Sequence, residues 1–152
     1  DLNDYRLKLV KKILPSIITI NVSNQKIDKK LMESVGIYEG FDVEIDIWIK
    51  DDTLYLGHDA PEQEINLEWL KSNHNKLWIH CKNLDTVVYF HGKKYNYFFH
   101  DTDDCTITSQ GNIWVYPGKQ PVKNSIAVLP ELFNDDVEGC LGVCSDFIKN
   151  YK

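Results

Sequence analysis

The chain reads as an α/β protein built on a mostly parallel sheet, either open or closed into an abbreviated barrel. Three observations point there. Short apolar runs alternate with short helical patterns through the middle of the chain, as βαβ connections require. Polar and ionisable residues follow nearly every apolar run, as expected where the carboxyl ends of parallel strands share one rim. The length of 152 residues supports one domain with a sizeable core. It falls well short of the ~250 residues of a full eight-fold barrel, so some helices must shrink to turns.

Taken in order, Leu7, Val10, Ile13 and Leu14 recur at helical spacing, which predicts an N-terminal helix over residues 2–14, ended by Pro15. Residues 16–22 are β-branched and apolar on both faces, which suits a buried parallel strand. Residues 25–36 can hold a short helix. Gly40 opens a strand over 41–49, Asp51-Asp52 turns the chain, and Thr53–Leu56 returns as a hairpin that pairs Leu54 with Ile49 and Leu56 with Ile47. A helix at 67–72, a strand at 77–81, a helix at 84–90 and a strand at 95–99 follow. Three further short strands are expected at 112–116, 125–129 and 141–144. No repeat, linker or low-complexity segment interrupts the chain, so 1–152 is read as a single domain.

Composition narrows the function classes. Hydrophobic residues at 43% and aromatic residues at 12% describe an ordinary globular chain. A net charge of -6 without any Lys/Arg run excludes a nucleic-acid binder that works by neutralising phosphates. No apolar run approaches the ~18 residues of a transmembrane helix, so a soluble protein is expected. Cys81, Cys105, Cys140 and Cys144 form no C-x-x-C pair and read as free thiols of a reducing cytoplasm. The chain begins at Asp1 rather than Met, as a processed or trimmed product would.

The chemistry concentrates in Asp42-Val-Glu-Ile-Asp-Ile-Trp48. On a strand, Val43, Ile45 and Ile47 share one face, and Asp42, Glu44 and Asp46 share the other. Carboxylates crowded on one face repel one another unless water, a base or a cation lies among them. The segment is therefore a wet sheet surface or a metal site. The hairpin register sets Gly57 opposite Asp46 and brings His58-Asp59 within reach of the carboxylates. Gly57 permits a bulge that would turn His58 toward them, making His58 a candidate general acid or base. His80 and Lys82 share one face at the end of the next strand. A lysine beside Glu44 and Asp46 balances charge and can hold a phosphate oxygen. His100, with Asp101, Asp103 and Asp104, forms a loop that either carries a ligand or is solvated. His74 and His91 read as exposed. No nucleophile elbow, phosphate-cradling glycine loop or dinucleotide fingerprint is present.

The run Phe41-Asp-Val-Glu-Ile-Asp-Ile47, followed by Leu-Gly-His58-Asp59, resembles the glycerophosphodiester phosphodiesterases and the wider phospholipase-C-like phosphodiesterase superfamily. Leu77-Trp-Ile-His-Cys-Lys-Asn83, Ile113-Trp-Val-Tyr-Pro-Gly118, Val128-Leu-Pro-Glu131 and Gly142-Val-Cys-Ser-Asp146 resemble a small bacterial-type branch, in the expected order. The resemblance implies an abbreviated TIM-like (β/α) barrel that cleaves a glycerophosphodiester-like or other phosphodiester substrate. It implies that Glu44 and Asp46 hold a divalent cation, Ca²⁺ or Mg²⁺, which fits the preference of both ions for carboxylate oxygens. It gives His58 the role of protonating the leaving group and Lys82 that of contacting phosphate. Trp114 and Asp146 join Lys82 as expected substrate contacts. The family's first catalytic histidine lies in a His-Arg-Gly motif after the first strand, whereas this chain reads Ile20-Asn-Val-Ser-Asn24. The family's third metal carboxylate, two residues before Lys82, is His80 here, and His80 or His100 are the available substitutes. The alternative expectation is a catalytically silent barrel that binds a phosphorylated ligand, binds a partner protein or serves as an oligomer's scaffold.

Overall fold

The computed structural model describes residues 7–12, 18–19, 21–22, 41–145, 147 and 150–151, with side chains from residue 42 onward. In order the elements are β1 (Leu7–Lys12), β2 (Ile18–Thr19), β3 (Asn21–Val22), β4 (Phe41–Lys50), β5 (Thr53–Leu56), β6 (Gln63–Glu64), α1 (Leu67–Ser72), β7 (Leu77–Cys81), α2 (Leu84–Phe90), β8 (Asn96–Phe99), β9 (Cys105–Ile107), β10 (Ile113–Val115), β11 (Ser125–Val128) and β12 (Gly142–Ser145). No helix among the described residues is long and apolar enough to cross a membrane.

The sheet is mixed. β4, β7 and β8 run parallel to one another, as do β10, β11 and β12. Between these two arms lies β1, antiparallel to both β4 and β12. β9 adds antiparallel to β10, and β5 and β6 fold back antiparallel from β4. The expected TIM-like barrel is therefore corrected to a small α/β fold with few helices and, among the described residues, no closed ladder. The cause lies in the connections. The two residues between β4 and β5 and the five between β9 and β10 are too few to cross over and make antiparallel hairpins, and β1 pairs antiparallel with both arms.

The N-terminal helix expected over 2–14 is also corrected: residues 7–12 form β1. Pairing on both edges, to β4 and β12, outweighs a helical recurrence of only a few apolar residues. Residues 2–6 and 13–14 and the helix expected at 25–36 lie outside the described residues. Of the strand expected over 16–22, the described residues form β2, parallel to β4, and β3, antiparallel to β1. The short, polar β6 and β9 carry no apolar run and were not expected. The hairpin has the predicted register, Ile47 with Leu56 and Ile49 with Leu54. Asp51 and Asp52 both adopt positive φ, 50° and 59°, as a two-residue type I′ turn requires.

The two faces of the sheet carry separate cores. On the outer face Val43, Ile45, Ile47 and Ile49 pack against Leu54, Leu56, Leu70 and Phe90, from β5 and the two helices. Asn66 caps α1 and Asn83 caps α2, each side chain accepting a backbone N–H of its first turn. Asn83 also bonds both backbone groups of Ile49, accepting its N–H (3.3 Å) and donating to its carbonyl (2.8 Å), which ties the end of β4 to the start of α2. On the inner face Trp78, Phe98, Trp114, Ile126, Val128 and Cys144 cluster. The Trp114 ring lies 5.5 Å from Trp78 and 4.8 Å from Phe98, so β10 of one arm meets β7 and β8 of the other. The sheet thus curls until its inner faces touch. The edges at β8 and β9 are bridged by Ser109, whose N–H reaches the Tyr97 carbonyl (2.7 Å) and whose hydroxyl donates to the Tyr95 carbonyl (2.9 Å) and accepts the Tyr97 N–H (2.9 Å), and by the Thr106 hydroxyl on the Phe99 carbonyl (3.0 Å).

Candidate metal centre and cavity

Strict alternation along β4 sends Asp42, Glu44 and Asp46 to the inner face, where they are 5%, 3% and 1% exposed. That burial excludes the wet-surface reading. Charges this deep must be partnered, and the partners differ along the strand. Asp42 accepts the Trp78 indole N–H at 2.9 Å and lies 3.7 Å from the Lys76 ammonium. It is a structural tie at the closed end of the curl. Asp46 lies 2.8 Å from His80 Nδ1 and 3.8 Å from Lys82 Nζ, and Glu44 lies 4.0 Å from the same His80 nitrogen. The ligand atoms of Glu44, Asp46 and His80 all fall within 4.8 Å of one another, a group that can hold a metal ion.

The placement of His80 follows from register. β7 pairs in parallel with β4 so that Asp46 sits beside His80, and with β8 so that His80 sits beside Phe98. The imidazole stacks on Phe98 at 5.0 Å with a 14° tilt. Its Nε2 faces the His100 carbonyl at 3.4 Å. A carbonyl only accepts, so Nε2 carries the proton of that bond. Nδ1, aimed at the carboxylates, then either donates a second proton to Asp46 or offers its lone pair to a cation. Metal-binding imidazoles are commonly oriented in this way. Lys82 continues past the strand end, its backbone N–H bonded to the Ile47 carbonyl at 2.9 Å.

These groups line a cavity of ≈ 320 Å³. Of the residues expected at a site, Glu44, Asp46, His80 and Lys82 form one wall, and His58, His100 and Trp114 also line it. Asp146 lies outside the described residues. His58 stands at the rim with its side chain 49% exposed and Nδ1 2.9 Å from Asp59. The bend that brings it there depends on Gly57. Its N–H reaches the Asp46 carbonyl (3.3 Å), and its carbonyl accepts the Trp48 indole N–H (2.7 Å). A Cβ at Gly57 would fall 1.8 Å from the Ala60 carbonyl oxygen, so no larger residue fits this turn. Trp114 is 2% exposed and packed between aromatic rings, so it acts as wall and core together. Asp103 and Asp104 are exposed, Asp104 pairing with Lys119 at 3.0 Å, while Asp101 reaches the cavity edge.

Tyr116, a polar residue at a strand end to which sequence reasoning assigns no role, also lines the cavity. It stacks on His100, with ring centroids 3.4 Å apart, and its buried hydroxyl has no hydrogen-bond partner among the described residues. Burial, reinforced by the nearby Glu44 charge, pushes its pKa up, so the phenol remains a neutral donor. The signal was available: Tyr116 is two residues after Trp114 and so shares its inward face. Burial, followed by the neighbouring His80, pushes the His100 pKa below the usual histidine value. Glu131 and Ser145, also polar residues near strand ends, are bonded to each other at 3.0 Å and do not line the cavity. Compared with known proteins, the chain matches no family model, no curated protein and no solved structure.

Proposed function

We propose that this protein is a divergent, divalent-cation-dependent phosphodiesterase, related to the glycerophosphodiester phosphodiesterases. One observation carries the reading: a single cavity brings together a buried carboxylate pair, a lysine ammonium and a histidine at its mouth. Glu44 and Asp46, helped by His80, would hold the cation. Such an ion supplies charge neutralisation at phosphoryl oxygens. Lys82 binds a non-bridging phosphate oxygen and keeps the diester against that wall. His58, oriented by Asp59, protonates the departing alkoxide from the solvent side. His100, disfavoured as a cation by burial, takes the proton of the attacking nucleophile, the task of the histidine that is missing after Ile20. The aromatic wall of Trp114 and Tyr116 bounds the leaving group and restricts water.

The test is hydrolysis of bis(p-nitrophenyl) phosphate and of glycerophosphodiesters with added divalent ions. Metal-dependent turnover is expected, and His58→Ala should lower it by ~10²–10⁴-fold. No turnover with any divalent ion would overturn catalysis. A second reading, a silent binder of phosphorylated ligands, is favoured by the sequence Ile20-Asn-Val-Ser-Asn24 in place of a histidine motif. It predicts saturable phosphodiester binding without cleavage.

A further inference from the structure

The proposed cation site has one donor that the hard ions do not ask for. His80 presents nitrogen, not oxygen, to the space between Glu44 and Asp46. We infer that the Glu44–Asp46–His80 cluster is a transition-metal site that takes Zn²⁺ in preference to Mg²⁺ or Ca²⁺. This rests on the reading that the cluster holds a cation, and it goes further by naming the class of ion.

Three features support the assignment. Imidazole suits the borderline first-row ions, whereas Ca²⁺ and Mg²⁺ are bound almost wholly by oxygen. The imidazole is also held in a ligating pose before any ion arrives. Its face is fixed by Phe98 at 5.0 Å and its distal nitrogen by the His100 carbonyl at 3.4 Å, which leaves Nδ1 directed at the carboxylates. Burial adds to this: the side chains of His80, Glu44 and Asp46 are 13%, 4% and 2% exposed, a poor setting for an ion that keeps several waters, as Mg²⁺ does.

The experiment is calorimetric titration of the full chain with Zn²⁺, Mn²⁺, Mg²⁺ and Ca²⁺. It uses a Cys105→Ser background, so that the exposed thiol does not compete for zinc. One ion per chain is expected, with Zn²⁺ bound at least ~10-fold more tightly than Mg²⁺ or Ca²⁺. His80→Asp, which makes the donor set all-carboxylate, should reverse that order. Spin-echo spectroscopy of the Mn²⁺-loaded protein should show nitrogen coupling from a coordinated imidazole, and this readout needs no substitution at His80. Equal or tighter binding of Mg²⁺ or Ca²⁺, or Mn²⁺ without nitrogen coupling, would overturn the inference and leave the cation reading standing. Binding of none of the four ions would overturn both.

Discussion

Replacing Trp114 with alanine tests whether the two arms of the sheet meet. Trp114 is 2% exposed, and its ring contacts Trp78 at 5.5 Å and Phe98 at 4.8 Å, residues of the opposite arm. A buried indole removes on the order of 150–250 Å² from water, worth roughly 4–6 kcal/mol at ~25 cal/mol per Å². Partial collapse of the cavity left behind brings the expected loss to about 3–5 kcal/mol. For a domain of this size each kcal/mol lowers Tm by about 2–4 °C, so a fall on the order of 10 °C is expected. Trp114→Phe keeps a ring between the arms and should lose less than half as much. Urea and thermal unfolding followed by far-ultraviolet circular dichroism measure both variants without relying on the deleted indole. A loss below about 1 kcal/mol for Trp114→Ala would show that the ring is a solvent-facing platform and that the arms do not pack through it.

Two further outcomes follow from burial. Burial pushes the Cys81 thiol from the ordinary 9.0 up to about 12. A raised pKa means less thiolate at every pH below it, so at pH 8 Cys81 is ionised about a thousandfold less than an ordinary thiol. Iodoacetamide should therefore label only the exposed Cys105 quickly. Rapid loss of two or more of the four free thiols, read by intact mass, would contradict the assigned burial. Tyr116→Phe deletes a buried hydroxyl that has no partner among the described residues, so urea stability should stay within about 0.5 kcal/mol or rise. Phosphodiester affinity should fall by roughly 5–10-fold if that hydroxyl donates to the ligand. Unchanged affinity would remove Tyr116 from the site.

What was legible in the sequence was local. The alternation of Asp42, Glu44 and Asp46 with Val43, Ile45 and Ile47 survives intact, because a period of two needs only a strand with one face covered. The Asp51-Asp52 turn and its register followed from neighbouring residues alone. Segments whose state is decided from a distance read poorly. Leu7 to Lys12 carries a few apolar residues at helical spacing, yet it becomes a strand because Val43 and Ser145, far along the chain, pair with both its edges. The barrel expectation failed for the same reason, since strand direction depends on how each connection runs and not on the strand's own residues. Within the site, His80 and Lys82 could be seen to share a face. That His80 would stand beside Asp46 depends on a parallel register between strands more than thirty residues apart. Asp42 looked equivalent to Glu44 and Asp46, and only the Trp78 indole bonded to it shows that it serves the scaffold.

The joint between the edges of β8 and β9 is built without a strand ladder. A continuous ladder there would make opening as costly as tearing a strand. Instead the arms are held by stacked rings and by bonds gathered at Ser109 and Thr106. Parting them would cost the Trp114 packing yet leave the β4–β7 pair, with its carboxylates and His80, in register. The carboxylate wall is thus a unit whose assembly does not depend on that seam.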